Sequence, residues 1–347
     1  MIDFSNTRLK NLAVHKVGNK LKEESLRISK GLANIHNEDT CDLLLKYFLS
    51  PFNGNEFFNF VHPTDIKLNE INSFTEKIFS NESNFYIQSI AIARHLFEKS
   101  VHPKIKTGEL YVCLFNNCRL ENQTMDAIGI FKSENKESFL KVSPIKENFE
   151  IDYEEGININ KLDKGCIIFN LDAESGYKIC IVDKANRSEE ALYWKEHFLN
   201  VGPCADNYHH TKNYLNLTKT FVTDHLSEAF EVSKAEKIDI LNRSMDYFKK
   251  KEQFDEKEFA EEIFENKDII HSFSNYKKDF QAELEMNIVE DFYISAPAVK
   301  KQERVFKSVL KLDKNFHIYI HGNKEMIEKG VDERGRKYYK IFYSEET

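Results

Sequence analysis

A change of pattern at Gly202-Pro203 constrains this 347-residue chain more than any other feature. Upstream, from Gly108, strand-like runs follow one another: GELYVCLFNNCRLE, TMDAIGIFKSE, ESFLKVSPI, FEIDYEEG, GCIIFNLD and YKICIVDK. Turn-forming or polar residues part them, and connections this short favour an antiparallel meander. Downstream, apolar residues recur at helical spacing. The pattern predicts an α+β chain of two domains. Residues 1–200 form an antiparallel sheet with helices, and residues 201–347 form a helix-rich domain closed by a short β-hairpin.

The remaining elements follow from period and punctuation. Strands are expected at about 9–17 and 25–30, a helix from Asn37 to about Leu49, a short strand at Phe57–Phe60, and helices at about 68–79 and 85–98. The last of these, FYIQSIAIARHLFEK, is apolar nearly all round, as in a buried core helix. A helix carrying Leu192, Tyr193, Trp194 and Phe198 should stop at Gly202-Pro203. The next, from Tyr208 to about Leu226, places Leu215, Thr218, Val222 and His225 on one face and His209, Lys212, Asn216, Lys219 and Thr223 on the other. Ser233 with Glu236, and Asp255 with Glu258, have the spacing of capping boxes. Ser295–Ala298 reads as a linker to closing strands near 308–312, 316–320 and 338–343.

The net charge of −8 argues against a protein that coats DNA by bulk electrostatics. The charge is uneven: residues 1–37 and 299–347 are each +4, whereas 228–291 is −8. Two sets of basic residues are therefore candidates for DNA contact. One is the helix face of Lys212 and Lys219. The other comprises Lys300, Lys301, Arg304, Lys307, Arg334, Arg336, Lys337 and Lys340 near the carboxy terminus. On a hairpin, Arg336, Tyr338 and Lys340 share one face, where the tyrosine could stack on a base. The competing reading is a solvated helix face and an edge strand whose lysines block aggregation.

Catalytic signals are sparse. The chain lacks a P-loop, a GxGxxG, an HExxH and a GxSxG, so no catalytic residue, cofactor or metal is assigned. Asp126 with Glu134 and Lys136 is the nearest approach to a metal-dependent nuclease, but Ser133–Glu137 reads as a solvated turn. Cys113 and Cys118 have opposite parity along a regular strand, which leaves buried thiols in a reducing compartment. No secretory h-region or membrane-spanning run is visible, so a cytoplasmic protein is expected.

The helix ending YWKEHFLNVG, the helix YHHTKNYLNLTKTFVTDHL and the run SKAEKIDILNRSMDYFKKKEQFDEKEFAEEIF together resemble the bacterial 37-kDa nucleoid-associated protein family. The opening strand with His15-Lys16, the strand series and the closing LKLDKNFHIYIHG are similar in layout. The resemblance implies a nucleoid location and association with DNA or with DNA-handling proteins. It carries over no catalytic residues. Two readings stay open. One is a non-enzymatic protein that binds DNA weakly and with little sequence selectivity. The other is an adaptor recruited through a partner such as a topoisomerase subunit or a defence-system component. A homodimer is left open, and no membrane association is expected.

Overall fold

The structure, a computed structural model, describes residues 2–54, 56–183, 193–284, 286–303, 306, 309–312, 316–319, 326–343 and 345. It divides into two compact units, Met1–Cys204 and Ala205–Thr347.

The first unit is built on an antiparallel sheet. Its strands are β1 (Ile2–Asp3), β2 (Arg8–Val17), β3 (Phe58–Phe60), β4 (Gly108–Leu120), β5 (Gln123–Ser133), β8 (Lys164–Phe169), β9 (Lys178–Asp183) and β10 (Val201–Pro203). They run in the order β1-β4-β5-β8-β9-β3-β10, with β2 also pairing β4. Gly202-Pro203 thus lies in an edge strand of the first unit, where a proline is tolerated. The run expected at 25–30 makes only a single bridge, Lys16 to Arg27.

The two strands between β5 and β8 do not join this sheet. β6 (Glu137–Ile145) and β7 (Asn148–Gly156) form a separate hairpin, and β8 pairs directly with β5. The expected continuous meander is therefore interrupted by an excursion. Its alternating sequence looks like a half-buried strand, and alternation alone does not say what covers the apolar side.

Both faces of the sheet are covered, which explains why its strands are nearly continuous apolar runs. Helices α2 (Glu70–Ser80) and α3 (Phe85–Lys99), with the π-helical turn Tyr193–Leu199, close one face. There Ile92, Leu96, Trp194 and Phe198 meet Leu110, Val112, Ile128 and Ile168. Helix α1 (Glu38–Leu49), capped by Asn37, closes the other. Phe48 stacks on Phe131 at 4.5 Å. A Cβ on Gly129 would lie 2.4 Å from the Phe131 ring, so the rings of this face need a glycine there. Helix α3 is buried on one side only: Ile87 stays 62% exposed, against the expectation of an all-round core helix.

Cys113 and Cys118 correct the parity argument. A bulge between Phe115 and Cys118, with Asn117 at φ 57°, adds one residue to β4. Both thiols consequently enter the same apolar layer, with Tyr111, Phe115 and Leu120. Burial pushes the Cys118 thiol up to about 12 and the Cys113 thiol well above its ordinary value.

His15 on β2 is buried between α3 and the chain at Ser29. The Ser29 amide donates to Nδ1 at 3.2 Å. Ser89 Oγ lies 3.1 Å from Nε2 and donates its own proton to the Tyr86 carbonyl, so Nε2–H is the donor to Ser89. The ring is therefore held neutral, and burial lowers its pKa from 6.5. A group with a depressed folded pKa that folds neutral stabilises fully above its unfolded pKa and progressively less below it. Stability should fall as pH drops below about 6.5, with a slope of up to about 1.4 kcal/mol for each pH unit. Urea midpoints measured from neutral to acid pH check this, and His15→Gln should flatten the decline.

The second unit opens with α4 (Asn207–Thr220), capped by Asp206. A π-helical turn, Phe221–His225, and a short α5 (Leu226–Ala229) continue it. Then come α6 (Lys234–Lys250), β11 (Gln253–Asp255), α7 (Glu256–Phe264), α8 (Lys267–Glu283), β12 (Asp291–Tyr293) and α9 (Ala296–Glu303). The Ser233–Glu236 capping box is complete in both directions. Ser295–Ala298 is not a linker: Ala296 starts α9, with Pro297 in the first turn where its missing N–H costs nothing. Two hairpins close the unit, β13 (Val309–Leu312) with β14 (Phe316–Tyr319) and β15 (Ile327–Val331) with β16 (Lys337–Ile341). Both pack on Ile238 of α6 through Leu312, Ile318, Ile327 and Tyr339.

Candidate nucleic-acid interface

Helix α6 ends in three consecutive lysines. Lys249 and Lys250 fill its last turn and Lys251 caps it in an extended conformation. The chain then turns into β11, which pairs β12 in antiparallel register, Gln253 opposite Tyr293. That pairing returns the chain to the end of α6, and α9 starts three residues after Tyr293. Its Lys300 comes to face Lys249, Lys250 and Lys251 across a cavity of about 610 Å³. Tyr293, 66% exposed, stands on its wall.

The groove is basic on balance. Its four lysines face Glu252 and Glu303. Lys249 pairs with Glu303 at 2.6 Å, and Lys251 pairs with Glu258 at 2.6 Å outside the lining. Each lysine raises its partner's acidity: hydrogen bonds from Lys249 to Glu303 and from Lys251 to Glu258 lower both carboxyl pKa values. These are exposed, salt-screened pairs that contribute little to the fold. Lysines in a last helical turn also complement the helix carbonyls, so part of their value is local.

The sequence candidates do not gather in one place. Lys300 is in the groove. Lys301, on the same helix, lies 5.9 Å over the Tyr208 ring. Lys212 and Lys219 on α4 are half-buried rather than on a free outer face. The assignment of faces on that helix also changes beyond Phe221. The wider π turn advances the register, so Leu226 takes the inward place expected for His225. His225 is exposed beside the Tyr276 ring at 4.2 Å.

The closing hairpin holds Arg334, Arg336, Lys337 and Lys340 at the surface, but partly neutralised. Arg336 bonds Asp332 at 2.7 Å and Lys340 meets Glu328 at 3.4 Å. Tyr338 lies against Gly330 across the ladder, where a Cβ would come within 2.3 Å of its ring. Its stacking face is therefore partly used. Arg304 and Lys307 lie outside the described residues.

The nuclease alternative loses its geometry. Asp126 lies inside β5 and Glu134 just past its far end, eight residues on and roughly 26 Å away at the strand rise. Glu134 is not solvated, as the turn reading expected. Its side chain is 9% exposed and bonds Lys132 Nζ at 2.8 Å, and Lys164 lies 3.7 Å away. Lys136 pairs instead with Glu109 at 3.1 Å. Among the described residues no group of three or more His, Cys, Asp or Glu could hold a metal ion. Among the same residues no helix is long and apolar enough to cross a membrane.

Comparison with known proteins agrees with the resemblance read from the sequence. A family model described as NA37, nucleoid-associated protein YejK, matches residues 13–335. No curated protein matches the chain. The chain belongs to this nucleoid-associated family, and membership places it at the bacterial nucleoid.

Proposed function

We propose that this member of the nucleoid-associated family contacts duplex DNA directly, without catalysis, through phosphate contacts made by its second unit. The observation that carries the reading is the groove where Lys249, Lys250, Lys251 and Lys300 converge around an exposed tyrosine. Long flexible ammonium groups reach phosphates without reading base edges, so binding is weakly sequence-selective. With a chain net charge of −8, affinity stays in the nonspecific range of about 10⁻⁴ to 10⁻⁶ M at physiological salt.

Changing Lys249, Lys250, Lys251 and Lys300 together to alanine should weaken duplex binding equally for unrelated sequences. It should also flatten log K against log salt by about 0.9 for each phosphate no longer neutralised. The closing hairpin is the comparison: two of four cations meet a carboxylate in each set, but only the groove lysines converge on one cavity, so Arg334, Arg336, Lys337 and Lys340 changed together should give the smaller loss. Fluorescence anisotropy at several salt concentrations measures both. A larger loss from the hairpin set would move the contact there.

A second reading, the adaptor, rests on another surface of the same unit. Glu256, Glu261, Glu265 and Glu290 line a cavity of about 580 Å³ between α7 and α8, with Lys257 and Lys267 at its wall. An acidic cleft of that kind suits a basic segment of a DNA-handling protein. No measurable DNA binding by the native chain at low salt would favour this reading over the first.

A further inference from the structure

The β6–β7 hairpin has one face, apolar beyond the Ser138–Glu155 pair at its base, that nothing covers among the described residues. Its register sets Leu140 opposite Tyr153, Val142 opposite Ile151 and Pro144 opposite Phe149, all on one side. These side chains are strongly exposed: Leu140 79%, Val142 57%, Phe149 72%, Ile151 68% and Tyr153 62%. The opposite side is mixed, with Phe139 and Ile145 near its two ends and Lys141 bonded to Glu154 at 2.6 Å between them. Among the described residues the arm is anchored at its base, where Lys161 and Asn158 hold Glu137 at 2.6 and 2.8 Å. A lone two-stranded hairpin is marginal in water, and an exposed apolar patch this continuous marks an interface.

We propose that this face pairs with the same face of a second copy of the chain, apolar side to apolar side about a two-fold axis through the Val142–Ile151 pair. Two properties of the arm select a second copy over an unrelated partner. The first is charge. The apolar face carries one ionic group, Glu155 at its base, and the turn at the tip carries Lys146, both exposed. A two-fold arrangement sets the tip of each arm against the base of the other, so Lys146 of one copy reaches Glu155 of its mate. The acidic residues Glu150, Asp152 and Glu154 stay on the outward sides, away from the seam. The second is area. Six side chains of this size present on the order of 500 Å² per copy, so two arms bury about 1,000 Å², at the threshold of a specific interface. The dimer is accordingly reversible. It does not depend on DNA contact.

Sedimentation velocity of the full chain without DNA, from about 1 to 100 µM, tests the pairing in the range expected for so small an interface. Native protein should pass from one-chain to two-chain mass. Val142→Lys with Ile151→Lys should stay monomeric across that range, about a hundredfold weaker in association, with an unchanged urea midpoint. Glu155→Lys should weaken association and Lys146→Glu added to it should restore it, a reciprocal effect that loss of folding does not produce. Val142→Cys sits on the axis and should form an inter-chain disulfide on mild oxidation, whereas Val142→Ser should not. Native protein that remains one-chain throughout overturns the proposal and assigns the arm to another protein. A dimer indifferent to the double lysine variant also overturns it.

Discussion

Glu134→Ala is expected to destabilise the first unit by about 3–5 kcal/mol, the cost of leaving buried charge without its partner. Glu134 accepts from Lys132 Nζ at 2.8 Å and lies 3.7 Å from Lys164 Nζ. Those two lysine side chains are 0% and 3% exposed. Lys132 also donates to the Lys106 carbonyl at 2.7 Å, and Lys164 reaches Asp183 at 3.2 Å. Burial lowers the Lys132 pKa and the neighbouring Glu134 opposes that shift, so the carboxylate is what keeps the ammonium tolerable. Removing both partners differs from removing one. Lys132→Met with Glu134→Leu should recover most of the loss, since well-packed apolar groups replace a buried pair at little cost. Urea denaturation of the three proteins decides it. A single variant that loses less than about 1 kcal/mol would mean that water reaches the cluster.

The second large effect lies in the other unit. Tyr214 stands at the centre of an aromatic cluster, 4.2 Å from Phe254, 5.4 Å from Phe259, 6.1 Å from Phe273 and 6.3 Å from Phe248. Its side chain is fully buried. Tyr214→Ala should cost about 3–5 kcal/mol, as is usual for an aromatic cavity. Its hydroxyl, however, has no hydrogen-bond partner among the described residues, and burial raises its pKa well above the ordinary phenol value. Tyr214→Phe should therefore leave stability unchanged or raise it by up to about 1 kcal/mol, because it deletes a desolvated polar group and keeps the ring. Thermal unfolding followed by near-ultraviolet circular dichroism separates the two. A clear loss from the phenylalanine variant would show that the hydroxyl is bonded, most simply to water.

What the sequence made legible was local and repetitive. Ser233 and Asp255 were visible as caps because each sits three residues before the amide it binds. The strands were visible because burial on both faces leaves long apolar runs. What escaped depends on single residues or on distant pairing. The bulge at Asn116-Asn117 changes parity by one residue, and the sole hint is an asparagine pair inside a strand, a residue that tolerates positive φ. The π turn at Phe221–His225 shifts a helical face without any residue that announces it. The lysine groove was hidden by averaging. Lys249–Lys251 fall inside the acidic 228–291 stretch, and only the β11–β12 pairing brings Lys300 to them.

The same bulge governs how this strand tolerates changes of length. Between Phe115 and Cys118 β4 takes three steps where β5 takes two, from Ala127 to Met125. Loss of one residue at position 116 or 117 therefore restores an unbroken ladder, with the cysteine and leucine that follow still turned toward the same layer. Loss of one residue anywhere from Tyr111 to Leu114 would instead turn every side chain on one flank of the gap to the opposite face. A deletion is admissible at one point in this strand and disruptive a few residues away, so variation in length among homologous chains should concentrate at the asparagine pair.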